Sequence, residues 1–287
     1  MPSAFLRILS IHRIGLQRMV VSVLLALALA GVQNAGAQTF DEAKAAYKRG
    51  DYAVALEAFR NLAGQGDTHA QFALGSMYAE GKGVPQDEAE AVRWYRRAGG
   101  QGLAGVQLLL GTMYDSGQGV PQDYAEAARW YRRAAEQGDA RAQVNLGYMY
   151  SQGRGVSQDY AEALGWFRKA AEQGNAKGQT RLGIMYEQGY GVPRDYTEAL
   201  RWYSQAAAQG NAFAQASLGF MHYLGKGVSK DYVQAHKWFS LAISRFSGSE
   251  RDSQDRAVQF REEVASKMTP EQIAEAERLA REWKPGQ

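Results

Sequence analysis

The chain has 287 residues, 45% hydrophobic and 22% charged, a composition typical of a globular protein of one large or two ordinary domains. Its formal net charge is +3, and three of its arginines lie in the first 37 residues, which contain no acidic residue. Without that stretch 30 basic residues balance 30 acidic ones, so we expect no electrostatic binding of nucleic acid or of an anionic membrane surface.

Residues 1–37 are interpreted as a signal peptide. A basic lead runs into the apolar stretch 19–30, which is shorter than the roughly 20 residues that a membrane span requires. The small residues Ala35-Gly36-Ala37 then predict cleavage before Gln38. The alternative is a buried N-terminal helix. We expect a periplasmic or secreted protein that is not inserted in a membrane after signal removal, and the chain has no cysteine for disulfides or lipid attachment.

Residues 38–66 are predicted to form a capping hairpin of two helices, with Gly50-Asp51 as a short turn. From residue 67 to 246 the sequence then repeats every 36 residues. The motif LGxMY begins at 74, 110, 146 and 182 and becomes LGFMH at 218, and tryptophan recurs at 94, 130, 166, 202 and 238. This period predicts a solenoid of five two-helix units, with LGxMY in the first helix (helix A) and tryptophan in the second (helix B).

The segment between the two helices reads GKGVPQD, GQGVPQD, GRGVSQD, GYGVPRD and GKGVSKD in the five units. Glycine-rich loops can bind phosphate, but a phosphate site occurs once in a domain, whereas this segment occurs in every unit. We interpret its first glycine as the end of helix A and its aspartate as the N-cap of helix B, and in the first four units we predict a capping box to the glutamate three residues later. The glycine of LGxMY predicts close approach of a neighbouring helix backbone, because glycine costs about 1 kcal/mol in a helix.

The 36-residue period is lost after Ser240. Residues 247–287 are predicted to be C-terminal capping helices, a polar one near 250–268 and a final one that begins after Thr269. The final helix would bury Ile273, Ala276, Leu279 and Trp283 on one side.

LGxMY, GxGVxxD, the A-x-x-W-[YF]-x-x-A pattern of helix B and a closing Gln-Gly together resemble the Sel-like repeat, a relative of the tetratricopeptide repeat. The resemblance implies an all-α protein, a right-handed α-solenoid of two-helix repeats with capping helices at both ends. It also implies a scaffold for protein–protein interaction. Members with a similar layout are often exported bacterial proteins with roles in envelope regulation, exopolysaccharide export or host contact.

The function expected from this resemblance is a non-catalytic periplasmic scaffold or adaptor that regulates or organises an envelope complex and needs no cofactor. The alternative is a cell-wall-directed hydrolase with β-lactamase-like activity, because some relatives have been linked to hydrolysis of cell-wall antibiotics. Those relatives are rich in cysteine, which this chain lacks.

The aromatic and titratable residues of the sequence do not indicate a catalytic site or a metal site. The repeated aromatic residues could stack sugars or bases, but identical places in every unit are typical of a core. His222 replaces the tyrosine of LGxMY and His236 replaces Leu200 of the preceding unit, so the two imidazoles could lie close together. No third metal ligand is indicated, and we expect structural histidines with satisfied hydrogen bonds. Titratable residues show no cluster at unrepeated positions.

A partner is predicted to bind along the A helices, which would line the concave side of the solenoid by family resemblance. Positions that are alike in all units should pack, and positions that vary should face solvent as one stripe per helix. The alternative is a solvated face, with Phe213 and Phe220 packed under the C-terminal cap. The stripe is basic in the middle and apolar towards the C-terminus, which suggests an extended or helical protein segment with acidic and apolar residues. The predicted binding residues are Arg141, Asn145, Tyr148, Lys177, Arg181, Ile184, Phe213, Ser217, Phe220 and Leu224.

The signal peptide leads to a first prediction. Cleavage after Ala37 should give an exported protein that starts at Gln38, because small residues occupy the positions that signal peptidase requires. N-terminal sequencing of periplasmic material measures the start directly. A protein that keeps Met1 and stays in the cytoplasm would contradict the assignment.

Overall fold

The computed structural model describes residues 39–286, so the predicted signal peptide and its cleavage site lie outside the described chain. Residues 39–286 form 14 α-helices and one short 3₁₀ helix, Gly248–Glu250, and contain no strand. The α-helices are α1 Phe40–Arg49, α2 Tyr52–Gly64, α3 Thr68–Glu80, α4 Glu88–Gly100, α5 Ala104–Ser116, α6 Tyr124–Glu136, α7 Ala140–Gln152, α8 Tyr160–Glu172, α9 Ala176–Gln188, α10 Tyr196–Ala208, α11 Ala212–Leu224, α12 Tyr232–Ile243, α13 Arg251–Ala265 and α14 Pro270–Glu282.

The chain forms two compact units, one with residues 39–142 and 154–156 and the other with residues 143–153 and 157–286. Within each unit consecutive helices pack as the helix pairs of a solenoid. Helices α3, α5, α7, α9 and α11 are the A helices, and α4, α6, α8, α10 and α12 are the B helices. The prediction of an all-α solenoid of two-helix repeats is confirmed, whereas its right-handedness stays a prediction. Of the described helices, none has both the length and the apolar character needed to cross a membrane.

The turn between helices A and B is built from glycine and aspartate, as the sequence predicts. Gly117 ends helix α5 with a φ of 73°, and its N–H donates to the carbonyl of Met113. The Asp123 carboxylate begins helix α6 by accepting from the N–H groups of Ala125 and Glu126, at 2.9 and 3.0 Å. The second half of the predicted capping box is wrong, because the Glu126 carboxylate pairs with Arg129 at 3.1 Å instead. The same exchange occurs in other units, at Glu90–Arg93, Glu198–Arg201 and Glu162–Trp166.

The glycine of LGxMY packs under an aromatic ring of helix B in the same unit. A Cβ atom on Gly183 would lie 2.6 Å from the ring of Tyr203, and one on Gly147 would lie 2.8 Å from the ring of Phe167. The predicted close approach is confirmed, but its first contact is a side-chain ring and not a helix backbone. Tyr203 and Phe167 are almost completely buried, so this contact lies in the core. Equivalent pairs occur in the other units, at Gly75–Tyr95, Gly111–Tyr131 and Gly219–Phe239.

Within each compact unit, buried glutamines link one repeat to the repeat before it. The Gln179 amide nitrogen donates to the carbonyl of Ala171 in the preceding helix B, at 3.3 Å. Its amide oxygen accepts from Gln209, the residue that caps helix α10, at 2.8 Å. The link ends at Gln215, whose buried side-chain oxygen has no partner among the described residues. Arg245 stands where the next closing glutamine would be.

The helices at the two ends differ from the repeat. Helices α1 and α2 form the N-terminal hairpin, joined at Gly50, which has a φ of 89°. At the C-terminus, α13 spans most of the range 250–268 that is predicted as a polar helix. Thr269 begins α14 and forms a capping box with Gln272. Ala276 is buried as predicted, but Ile273 and Leu279 on α14 and Trp283 directly after it, which are also predicted to be buried, are only half-buried.

The second glycine of the turn leads to a matched pair of substitutions. Gly191 and Gly174 have φ values of 66° and 80°, but a Cβ on Gly191 would lie 2.5 Å from the carbonyl oxygen of Tyr160, whereas nothing lies within 4 Å at Gly174. Gly174→Ala should cost only the left-handed strain of about 1–2 kcal/mol. Gly191→Ala should lower the free energy of unfolding by about 1–3 kcal/mol more, because the added methyl group overlaps backbone.

Urea unfolding followed by circular dichroism measures both substitutions against the unchanged protein. If the two alanine substitutions destabilise the protein equally, the contact between Gly191 and Tyr160 at the start of α8 is absent.

Candidate functional site

The A helices bury the residues that are alike in all units. In α7, Ala142, Gln143, Leu146 and Gly147 are buried and Tyr150 is half-buried. The varying positions are more exposed, but the expectation that all of them face solvent is wrong. Among the predicted binding residues, Arg141, Lys177, Arg181, Phe213 and Leu224 are exposed, whereas Asn145, Tyr148, Ile184, Ser217 and Phe220 are half-buried.

Helix α9 carries two exposed cations on one face. Lys177 and Arg181 are one helical turn apart, and neither has a carboxylate within ion-pair distance in the part of the chain that the structure describes. The Arg181 guanidinium lies 5.3 Å from the centre of the Tyr148 ring, a distance at which a cation–π interaction operates. Arg141 differs from them, because it pairs with Asp139 at 3.0 Å. Positive charge in this stripe is therefore least compensated on α9.

The apolar residues of helix α11 fall into two groups. The Phe220 ring packs edge-on against Phe239 and Phe260, with ring centres 5.0 and 4.5 Å apart, so α13 covers it. Phe220 thus packs under the C-terminal cap, which is the alternative that the sequence left open. Phe213 packs against Phe246, which follows α12 and precedes the cap, but it remains 44% exposed, and Leu224 is 48% exposed. Two large apolar side chains on α11 therefore remain accessible.

The two histidines are not the satisfied structural residues that the sequence predicts. His236 is 5% exposed and His222 is half-buried, and the Nδ1 atom of each lacks a hydrogen-bond partner within the described chain. Burial lowers the pKa of both imidazoles. At His236 the positive charge of Arg261 lowers the pKa further, and the carboxylate of Glu277 opposes it. Groups of three or more metal-ligating side chains are absent from residues 39–286.

His236 lines a cavity of about 390 Å³ between the last three helices. The expectation that titratable residues do not cluster at unrepeated positions is therefore wrong. His236 itself gives the one sequence signal for this cluster, because it stands where Leu200 stands one period earlier. In the sequence, the charged residues of the final two helices look like those of any solvent-exposed helix face, so they give no signal for a site. The polar lining consists of His236 and Ser240 from α12, Arg261 and Glu262 from α13, and Glu277 and Arg281 from α14.

Ser240 and His236 are one helical turn apart and line the same cavity, as a nucleophile and its base would. Such a pair needs a hydrogen bond between the hydroxyl and the imidazole, and none joins these two side chains in the described structure. The walls of the cavity carry side chains of opposite charge.

Comparison with known proteins identifies the repeat. The family model of the Sel1 repeat matches residues 68–103, 105–139, 140–175, 176–211 and 212–245, which is more than half of the chain. A Sel1 repeat protein from Oxalobacter formigenes superimposes with a TM-score of 0.70 at 29% identity, over 84% of this chain and 98% of that one.

Two further relatives are matched over less of their length. A protective antigen from uropathogenic Escherichia coli that displays an SLR fold has a TM-score of 0.67 and 37% identity over 85% of this chain, which spans 52% of the antigen. An exopolysaccharide production negative regulator from Rhizobium leguminosarum bv. viciae is 49% identical over 45 residues, or 16% of this chain and 17% of the regulator.

The lowered pKa of His236 predicts how stability depends on pH. The unfolded chain takes up a proton on this residue near its ordinary pKa of 6.5, whereas the folded protein does so only at lower pH. The free energy of unfolding should therefore be fully retained above pH 6.5 and fall as the pH is lowered below it. His236→Leu, which restores the residue found at position 200, should weaken this fall; His222 contributes in the same direction.

Melting temperatures at about pH 7.5 and about pH 5.5 measure the effect, with His69→Leu as a control outside the cavity. An identical loss on acidification in the unchanged protein and in His236→Leu would refute this account of His236.

Proposed function

The chain belongs to the Sel1 repeat family, and on this premise we propose that it is a non-catalytic scaffold that binds a protein partner along its A helices in the periplasm. The observation that carries the proposal is the array of five matched repeats, whose architecture suggests protein–protein interaction. The apolar stretch and the small residues before Gln38 support export. The repeated acidic residues support a binding role over catalysis, since Asp123 and its equivalents serve as N-caps.

The chemistry of the partner follows from the residues that stay accessible on the A helices. Lys177 and Arg181 favour a carboxylate-bearing segment, because neither has a carboxylate within ion-pair distance in the described chain, whereas Arg201 on α10 is paired with Glu198. Phe213 and Leu224 favour apolar side chains further along the same segment. We therefore expect a protein segment with both acidic and apolar residues.

The cellular role that we propose is the regulation or organisation of an envelope complex. The name of the Rhizobium relative, an exopolysaccharide production negative regulator, supports a role of this kind. Only 45 residues are shared with it, so the polymer that it controls is not transferred to this chain.

Charge reversal on α9 tests the proposed surface. The double substitution Lys177→Glu with Arg181→Glu should weaken capture of the partner at least about tenfold, because two attractive charges become repulsive. The matched control is Arg194→Glu with Lys230→Glu, which makes the same change in net charge on exposed turn residues.

The partner is first identified by mass spectrometry of proteins captured from envelope extract, and its affinity for each variant is then measured with the purified components. Binding that is lost on α9 and kept in the control supports the proposal. Equal binding by both folded variants would remove α9 from the site.

A further inference from the structure

The cavity beside His236 shares no residue with the A-helix positions discussed above, so it is a separate site. Its six polar lining residues come from three different helices. Their charges balance, with two guanidinium groups, two carboxylates and an imidazole whose pKa is lowered, chiefly by burial. A volume of about 390 Å³ lies in the lower part of the range that small-molecule pockets occupy.

The charges on the cavity wall are less completely paired than those around Arg278 on α14. Arg278, on α14, bonds Glu275 and Glu282 at 2.7 and 2.6 Å. On the cavity side, Arg281 lies 3.6 Å from Glu277, which is longer than a hydrogen bond. Arg261 and Glu262 have no ion-pair partner in the described chain, and as sequence neighbours on a helix they do not face each other. Hydrogen-bonding capacity therefore remains available on this wall.

His236 places a buried imidazole in the wall of the cavity. It lines the cavity, it is 5% exposed, and its Nδ1 atom has no hydrogen-bond partner within residues 39–286. Buried polar atoms in native proteins are nearly always satisfied, so an exception requires an explanation. The Nδ1 atom is itself closed off from the cavity, and orphaned atoms such as the Gln215 side-chain oxygen lie outside it, so His236 serves as a reporter of the cavity and is assigned no contact with the ligand.

We propose that this cavity binds a small zwitterion, an amino acid or a dipeptide with free termini, with the ligand carboxylate on Arg261 and the ligand ammonium on Glu262 and Glu277. A guanidinium presents a fork of donors that fits a carboxylate, and carboxylates accept hydrogen bonds from an ammonium group. A ligand with separated charges and no net charge matches a wall of the same kind, whereas a simple anion would be repelled by the two glutamates.

Three probes of similar size separate the two charges of the ligand. L-Alanyl-L-alanine carries both, N-acetyl-L-alanine carries only the carboxylate, and L-alaninamide carries only the ammonium. Binding is followed through the imidazole resonances of the isotope-labelled protein, in which His236→Gln assigns the His236 signal. The dipeptide should shift the His236 signal saturably, and both single-charge probes should bind at least about tenfold more weakly, because each leaves protein charges unpaired.

Substitution of the carboxylate partner completes the experiment. Arg261→Gln should weaken dipeptide binding at least about tenfold, whereas Arg256→Gln, an exposed residue of the same helix outside the cavity, should leave it unchanged. Circular dichroism establishes that both variants are folded.

Three results would overturn the proposal. The first is no saturable shift with the dipeptide up to about 20 mM, well above a weak millimolar dissociation constant. The second is equal affinity for N-acetyl-L-alanine and the dipeptide, which would make the cavity a carboxylate site. The third is unchanged binding by folded Arg261→Gln. Since charge reversal on α9 leaves the cavity intact, failure of either proposal can be recognised separately.

Discussion

The contact between a glycine of helix A and an aromatic ring of helix B sets the geometry of each repeat. Because Gly183 has no side chain, the ring of Tyr203 lies where a Cβ atom would otherwise be. The two helices can therefore approach closely enough to bury the ring completely, and Leu182 and Met185 beside the glycine are buried with it. Glycine costs helix propensity at this position, but the buried aromatic ring contributes more through the apolar area that it removes from water.

A second close approach joins one repeat to the next. The second glycine of each turn lies against the backbone at the start of the preceding helix B, as Gly191 does at Tyr160. The residue between the two turn glycines contacts that same helix start: the Tyr190 ring stacks on Tyr160 at 4.7 Å, and Lys226 lies 5.4 Å from the ring centre of Tyr196. Residues that vary between repeats are thus not all available to a partner, because some are matched to their neighbours.

The end of the repeat creates the unusual features of this chain. Gln215 has no closing glutamine to donate to its side-chain oxygen, and His236 occupies a position that holds leucine in the preceding repeat. Helix α13 covers Phe220 through Phe260, so the cap removes one residue from the apolar part of the predicted stripe. After the fifth repeat no further repeat packs against the array. At this end polar groups from α12, α13 and α14 meet around a cavity.

The sequence by itself determined the helices, their order and the role of the turn, because these depend on local signals repeated five times. Gly117 and Asp123, for example, cap their helices through contacts within a few residues. Only the tertiary structure decided that Phe220 is covered and that His236 lies beside Arg261 and Glu277. These outcomes depend on which side chains meet across helices that are distant in sequence and occur once, so periodicity carries no information about them.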